Sequence, residues 1–565
     1  MDQRAISGKN LRADTIESSI TRAFMQGAGY SREDLKSKPV IGICNSWSEL
    51  NPCNLNLKFI AENVKKGIIA AGGIPVEFPT ISINEQTNTS SSLYLRNLMA
   101  MDVEEMIKRS PIDGVVLLNG CDKTVPAQIM GALSAGKPMI SMSAGPRPTS
   151  TYKGEVTTIH NLWEKKEERE KGEIDEISWE AFTDQLIPGL GTCNVMGTAS
   201  TMSAIVEALG LSIPGTAFLP STCSSRQHAA ENTGKVAVQL VKNNRTPDQI
   251  VNIQALENAF RIVCALGGST NAVIHLEAIA GRIGLRLGLD NLREWSETTP
   301  QLVSVIPSGP YKLEDLQDVG GIPALFKNLS RLLHLDTQSV TGQTWEDIIN
   351  TISGGTSGVL KDFDNPVKSN GGLAILQGSL APNGALFKRS AVPEEYWKHR
   401  GPAVVFDGIE DMKERIDSPH LEVESDSVLI LRGMGPIGGP GMPEDAKIPI
   451  PKKLWEKGVR NMLRISDGRM SGTADGAVVL HVSPESAAGG PLAIVEDGDI
   501  VELDAVTCCL NLHVSEEEMR KRMKKVIVKE KPSRGYERLY HDHVTQADLG
   551  ADFDFLIKQE STVFK

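Results

Sequence analysis

No two of the eight cysteines form a Cys-x-x-Cys pair, so the sequence lacks the usual mark of a zinc ribbon or a thioredoxin-like redox site. No apolar run approaches the ~18 residues needed to cross a bilayer. The opening Met1-Asp2-Gln3-Arg4-Ala5 has no apolar core of a secretory signal. These absences lead us to expect a cytoplasmic protein without a membrane partner, its cysteines being reduced thiols or metal ligands rather than a disulfide framework. Surplus positive charge is missing too: the formal net charge is −12 and the pI about 5.5, which argues against a nucleic-acid surface. One basic run, Lys521 to Lys531, follows the capping-box pattern Ser515-Glu516-Glu517-Glu518 and reads as a solvated helix face. Internal repeats and low-complexity tracts are absent.

With 565 residues, 40% hydrophobic and 23% charged, the chain has room for two or more domains with substantial cores. Its first part alternates short apolar runs with helix-like spacing, the pattern of a parallel α/β sheet. Pro39 to Cys44 is a strand candidate, and Cys53 then lies just ahead of a helix over Leu55 to Ala71. Pro75 to Ile83 is a second strand, followed by a dense polar loop, Asn84 to Ser92, and a helix over Leu93 to Arg109. Ile112 to Leu118 is a third strand. It ends in Gly120-Cys121-Asp122-Lys123-Thr124, ahead of a helix over Val125 to Ala135, which puts a soft ligand, a hard ligand and an amine in a strand-to-helix turn.

Trp163 to Glu180, rich in Glu and Lys, reads as an exposed helical excursion without chemistry. Cys193 precedes a helix over Met202 to Leu209, whose N-terminus would favour a thiolate. Gly267-Gly268-Ser269-Thr270-Asn271 opens a further helix, Ala272 to Ala280, and is either an anion-facing turn or a simple one. Near Asn370-Gly371-Gly372 the character changes to short apolar runs separated by Gly, Pro and Asp: 403–406, 427–431, 477–482, 492–495 and 500–503. We therefore expect an α/β domain over residues 1–370 and a β-rich barrel or sandwich over 371–565.

Three thiols from separate turns, Cys53, Cys121 and Cys193, could hold an iron–sulfur cluster with one iron position free. Buried packing cysteines are the competing reading, and the better one for Cys44, Cys223, Cys264, Cys508 and Cys509. Glu85, Asp122 and Glu444 are the hard oxygen donors that Mg²⁺ prefers, though each alone reads as a solvated carboxylate. Asp122 is the exception, because a strand end between Cys121 and Lys123 is poor surface decoration. Lys123 could face a substrate carboxylate or be a modifiable amine. By residue type Ser471, in a turn with Arg469 and Thr473, is an unactivated hydroxyl.

Together these motifs resemble the dihydroxy-acid and phosphogluconate dehydratase family. Asn51-Pro52-Cys53, Gly120 to Thr124, Gly191-Thr192-Cys193, Gly267 to Asn271, Gly438 to Glu444 and Asp467 to Gly472 carry the likeness, in family order. The resemblance implies an N-terminal α/β domain holding a 2Fe–2S cluster on Cys53, Cys121 and Cys193, and a C-terminal β-barrel closing over it. It implies Mg²⁺ on Glu85, Asp122, Glu444 and a carbamylated Lys123, with Ser471 as the base, Thr473 beside it, and Ser90, Ser269 and Thr270 toward substrate. The implied assembly is a homodimer or homotetramer.

The implied reaction dehydrates a 2,3-dihydroxy carboxylate to a 2-oxo acid. A hydroxyl-rich Thr87 to Ser92, then Tyr94, Arg96 and Asn97, and the ending Gly550 to Leu556 resemble the sugar-acid branch, so an aldonate-type substrate is expected ahead of a branched-chain dihydroxy acid.

Overall fold

The computed structural model describes residues 11–88, 91–352, 355–472, 474, 476–526, 531–558 and 562–563. Four strands, β1 (Val40–Asn45), β2 (Ile74–Pro79), β3 (Gly114–Asn119) and β4 (Met139–Ser143), form an all-parallel sheet in the order β2-β1-β3-β4. Every residue of β1 and β3 is buried, which is why these segments read as unbroken apolar runs rather than alternating ones. The strand order reverses between β1 and β3. In open α/β sheets the crevice beyond the carboxyl ends at such a reversal is where ligands bind.

Around the sheet lie α1 (Leu57–Ala70), α2 (Ser92–Arg109), α3 (Thr124–Ala135), α4 (Asn161–Glu170), α5 (Glu176–Leu186), α6 (Thr198–Ala208), α7 (Ser224–Lys242), α8 (Ile253–Leu266) and α9 (Asn271–Arg282). Helices α6 and α9 are buried at every residue and form the centre of this region. The backbones of α1 and α7 touch. A Cβ on Gly67 would lie 1.8 Å from the Glu231 carbonyl oxygen, and one on Gly234 2.2 Å from that of Val64.

Between residues 370 and 515 the described residues form eight strands: β5 (Ala374–Leu376), β6 (Ala385–Phe387), β7 (Lys398–Asp407), β8 (Val428–Arg432), β9 (Arg464–Ser466), β10 (Val478–Leu480), β11 (Ile500–Asp504) and β12 (Cys509–Leu512). They pair in the order β12-β11-β7-β8-β9-β10-β6-β5. Gln377, just past β5, donates to the Cys508 carbonyl (2.9 Å) and accepts from the Leu510 N–H (3.0 Å), which brings the two edges together into a nearly closed barrel. Side chains alternate as the pleat requires: Val405 and Ile430 face one core, Val404, Phe406, Leu429 and Leu431 another. The apolar run 492–495 is not a strand. Pro491–Ile494 is a single 3₁₀ turn that tucks Leu492 inward, and a proline at its start cannot donate to a ladder.

The excursion carrying α4 and α5 is helical and exposed as expected, α4 having no buried residue, and it also touches the barrel. The Trp455 indole donates to Glu173 (2.9 Å), Lys171 and Lys447 pair with Asp417 and Glu167, and Trp163 packs on the cluster of Ala446 and Met470. Its charges are therefore split between solvent and the barrel. Arg96 and Asn97, which carry part of the likeness to the sugar-acid branch, hold the C-terminal segment. Fully buried Arg96 donates to the carbonyls of Gly550 and Ala551 (2.8 Å each), and Asn97 to that of Ala551 (3.0 Å). Tyr94 packs against Tyr536 and Tyr540 of α10 (Gly535–His543). With the buried Arg282–Asp552 pair (2.6 Å), these contacts bind the C-terminal segment to α2 and α9.

Among the described residues no helix is long and apolar enough to cross a membrane. The α1–α7 contact gives a test. Gly234→Ala should cost about 1–3 kcal/mol and lower the apparent Tm. Gly27→Ala, with no atom within 4 Å of its added methyl, should leave it unchanged.

Candidate active site

The loops at the carboxyl ends of the four parallel strands converge. β1 leads to a 3₁₀ turn, Pro52–Asn54, that carries Cys53. β2 leads to Asn84 and Glu85, β3 to Cys121, Asp122 and Lys123, and β4 to Arg147 and, past the docked excursion, to Cys193. The turns are tied directly. Asn54 Oδ1 accepts from the Cys121 N–H (3.0 Å), and a Cβ at Gly120 would stand 2.6 Å from that oxygen, so only glycine allows the approach.

The neighbouring Cys121 thiol, helped by Arg147 and Asn84 against the effect of burial, lowers Cys53 to about 7, while Cys53 and burial push Cys121 well above the ordinary thiol range. Of the two thiols, Cys53 is therefore the one that ionises first. Cys193 is different: burial raises it to about 12 despite Arg147. The expected thiolate-favouring helix end does not act there, because α6 begins only at Thr198 and the desolvation cost outweighs a dipole that fades within a turn.

Beside the thiols, Glu85, Asp122 and Glu444 bring carboxylate oxygens within 4.8 Å of one another, the one such metal-ligand group among the described residues. The three thiols are not gathered that tightly, which disfavours a mononuclear zinc site shared by them. Lys123, fully buried, sits inside the acidic group: its Nζ is 2.5 Å from Asp122, 3.2 Å from Glu85 and 3.5 Å from Glu444. Burial and Arg469 act to lower its pKa, but the three carboxylates more than offset them and raise it. The carboxylates themselves are driven apart. Burial alone would raise Glu85, yet Lys123 and Arg469 hold it at about 2, whereas burial and the Glu85 charge push Glu444 up to about 7.

Arg469, 1% exposed, holds the barrel's side of this group. It donates to Glu444 (2.7 Å), to the Met442 carbonyl (2.8 Å) and to the Ser91 hydroxyl (3.0 Å), and lies 3.6 Å from Glu85. Asn271 Nδ2 reaches Glu444 (2.8 Å), Thr198 (3.1 Å) and the Met470 carbonyl (3.4 Å). The next residue along that loop is Ser471, half-buried. At Gly472 a Cβ would meet Ser269 Oγ at 2.7 Å and the Thr198 nitrogen at 2.9 Å, so the Ser471 turn is pressed onto the N-termini of α6 and α9.

Most sequence-derived candidates therefore meet: Cys53, Cys121 and Cys193 on one side, Glu85, Asp122, Lys123 and Glu444 on the other, and Ser471 on the barrel's loop. Ser269 and Thr270 border that loop but are buried. The Ser269 hydroxyl is engaged with Thr198 (2.8 Å) and the Asn271 N–H (3.2 Å). Ser90 and Thr473 lie outside the described residues.

Models of the dihydroxy-acid/6-phosphogluconate dehydratase N-terminal and C-terminal parts match residues 38–348 and 358–551. The chain belongs to that dehydratase family. Among its relatives are 6-deoxy-6-sulfo-D-gluconate dehydratase of Pseudomonas putida, 44% identical over 549 residues (96% of this chain, 95% of that one), and L-arabinonate dehydratase of Rhizobium leguminosarum bv. trifolii, 42% identical over 539 residues (95% and 93%). Dihydroxy-acid dehydratase of Caldicellulosiruptor bescii is 37% identical over 553 residues (96% and 100%). The family is one of hydro-lyases.

For a dehydratase of this family the sequence reading gave no role to several residues that the structure puts in contact with the candidates, among them Asn84, Arg147, Asn271 and Arg469. Asn84 and Arg469 stand within two residues of named candidates, and Asn271 ends a quoted motif, so adjacency was the available signal. Arg147 had none. Arg469→Met should strand Glu444 without its 2.7 Å partner and cost about 3–5 kcal/mol, read as a lower Tm of the metal-free protein. Arg469→Lys should recover only part, since an ammonium cannot span the three acceptors that the guanidinium fork reaches.

Proposed function

We propose that the protein dehydrates an aldonate-type sugar acid, a 2,3-dihydroxy carboxylate, to a 2-oxo-3-deoxy acid. The observation that carries this reading is the meeting of soft thiols and hard carboxylates at the Cys121-Asp122-Lys123 turn, where Cys121 Sγ lies 3.3 Å from Asp122 Oδ1 and Lys123 Nζ reaches Glu85, Asp122 and Glu444. The donor sets suit the two groups that the resemblance implies. Glu85, Asp122 and Glu444, with Lys123, would hold Mg²⁺, and Cys53, Cys121 and Cys193 would hold a 2Fe–2S cluster. When bound, these would supply two Lewis-acid positions, one for the carboxylate and C2 oxygen, the other for the C3 hydroxyl.

The chain's own residues then have defined tasks. Ser471, as its alkoxide, takes the C2 proton as the C3 hydroxyl departs with its bonding electrons, that proton passes on to the hydroxide to give water, and the resulting enol tautomerises to the ketone. The N-terminal end of α6 against Gly472 favours negative charge on the neighbouring serine oxygen. Arg469 and Asn271 fix Glu444 and the Met470 carbonyl, and so hold the proton acceptor at a set position relative to the metal ligands. Lys123 stands where a divalent cation would sit. Mg²⁺ would compete with its ammonium, and carbamylation would convert that obstructing cation into a further oxygen ligand.

The sugar-acid choice rests on the relatives at 42–44% identity against 37% for the dihydroxy-acid dehydratase, not on Arg96 and Asn97, which serve the tail. Branched-chain dihydroxy acids are the second reading, supported by that 37% relative. Anaerobically prepared protein assayed for 2-oxo acid release on a panel of pentonates, hexonates and 2,3-dihydroxyisovalerate decides between them. Faster turnover of a sugar acid is expected; a clear preference for dihydroxyisovalerate would reverse the assignment. Ser471→Ala should lower kcat by about 10²–10⁴-fold while the cluster's visible absorption stays intact.

A further inference from the structure

The Asn84 side chain contacts two of the candidate thiols and closes the turn that presents Glu85. Its Nδ2 lies 3.6 Å from Cys53 Sγ and 3.7 Å from Cys121 Sγ, with a third contact to Asn51 Oδ1 at 3.0 Å. Its Oδ1 accepts from the N–H groups of Gln86 (2.8 Å) and Thr87 (3.2 Å), and its own N–H donates to Asn88 (3.0 Å). One half of a single amide thus closes the turn that presents Glu85, while the other half points its N–H groups at two sulfurs. The side chain is almost fully buried, so water does not compete for these bonds.

Arg147 approaches from the opposite side. Its Nη2 is 3.5 Å from Cys53 Sγ, and both its Nε and its backbone N–H donate to the Thr192 carbonyl, one residue before Cys193. It is 5% exposed. A buried guanidinium between two thiol-bearing loops is costly unless negative charge gathers there.

We infer that Asn84 is a positioning residue joining the two centres and that Arg147 is a charge-tuning residue for the sulfur centre alone. This deepens the proposed function and rests on its assignment of the three cysteines. Hydrogen bonds and positive charge at cluster sulfurs stabilise the more negative, reduced state and raise the midpoint potential. Partners behind metal ligands are typically worth ~10–100-fold in metal affinity, through the orientation they impose. Asn84 contributes to both quantities and Arg147 to the first.

The test uses full-length protein reconstituted anaerobically with iron and sulfide, reading the cluster's midpoint potential and, separately, the affinity for Mn²⁺ alone as a spectroscopic probe of the oxygen site. Asn84→Ala removes the turn closure and the sulfur donors together. It should shift the potential negative and weaken Mn²⁺ binding ~10-fold. Asn84→Asp keeps an acceptor for Gln86 and Thr87 but has no N–H, so the potential should fall without weakened Mn²⁺ binding. Arg147→Gln should also lower only the potential.

Asn84→Asp or Arg147→Gln with an unshifted potential would overturn the inference, as would Asn84→Ala with unchanged Mn²⁺ affinity. If Asn84→Ala fails to fold, the other two variants still decide. Wild-type protein that takes up no iron and sulfide would instead defeat the cluster assignment itself, and the inference with it.

Discussion

A buried charge balance governs this protein's centre. Three carboxylates, Glu85, Asp122 and Glu444, are brought within 4.8 Å of one another, and two buried cations, Lys123 and Arg469, hold them there. Like charges this close cannot persist in a low-dielectric interior without compensation, and the opposite shifts of Glu85 and Glu444 show the group sharing its protons to lessen the repulsion.

The fold supplies this constraint from two directions. A doubly wound sheet delivers Cys53, Glu85 and Cys121–Lys123 at its switch point, because strand carboxyl ends are where the backbone is free to turn outward. The barrel delivers Glu444, Arg469 and Ser471 from its loops. Asn271 and Arg469 bridge the two regions, and the C-terminal segment, held by Arg96, Asn97 and Arg282, fixes α2, whose first turn places Ser92 on Glu85. Positions far apart in sequence are in this way set to one geometry.

Much of this was legible in the sequence, and the reasons differ by residue. The all-buried strands β1 and β3 announced a parallel sheet, and the Cys121-Asp122-Lys123 turn was conspicuous because no core would accept it unpaired. Short apolar runs between Gly, Pro and Asp revealed the barrel strands, yet the run at 492–495 misled, since a short apolar run does not separate a strand from a 3₁₀ turn behind a proline. Arg96 and Asn97 look like substrate-facing polar groups in a linear reading. Their partners, the carbonyls of Gly550 and Ala551, lie more than 450 residues away, and no local pattern reports such a contact. Arg147 was invisible for the same reason: its meaning comes from Cys53, reached only through folding.

The Cys121-Asp122-Lys123 turn, in which Cys121 Sγ lies 3.3 Å from Asp122 Oδ1, would set the two proposed metal centres side by side. Electron paramagnetic resonance of reconstituted protein, carrying Mn²⁺ in the oxygen site and a one-electron-reduced cluster, measures this directly. The account predicts mutual broadening of the two signals from short-range magnetic coupling. Two unperturbed spectra, each identical to that of protein loaded with one centre alone, would contradict it.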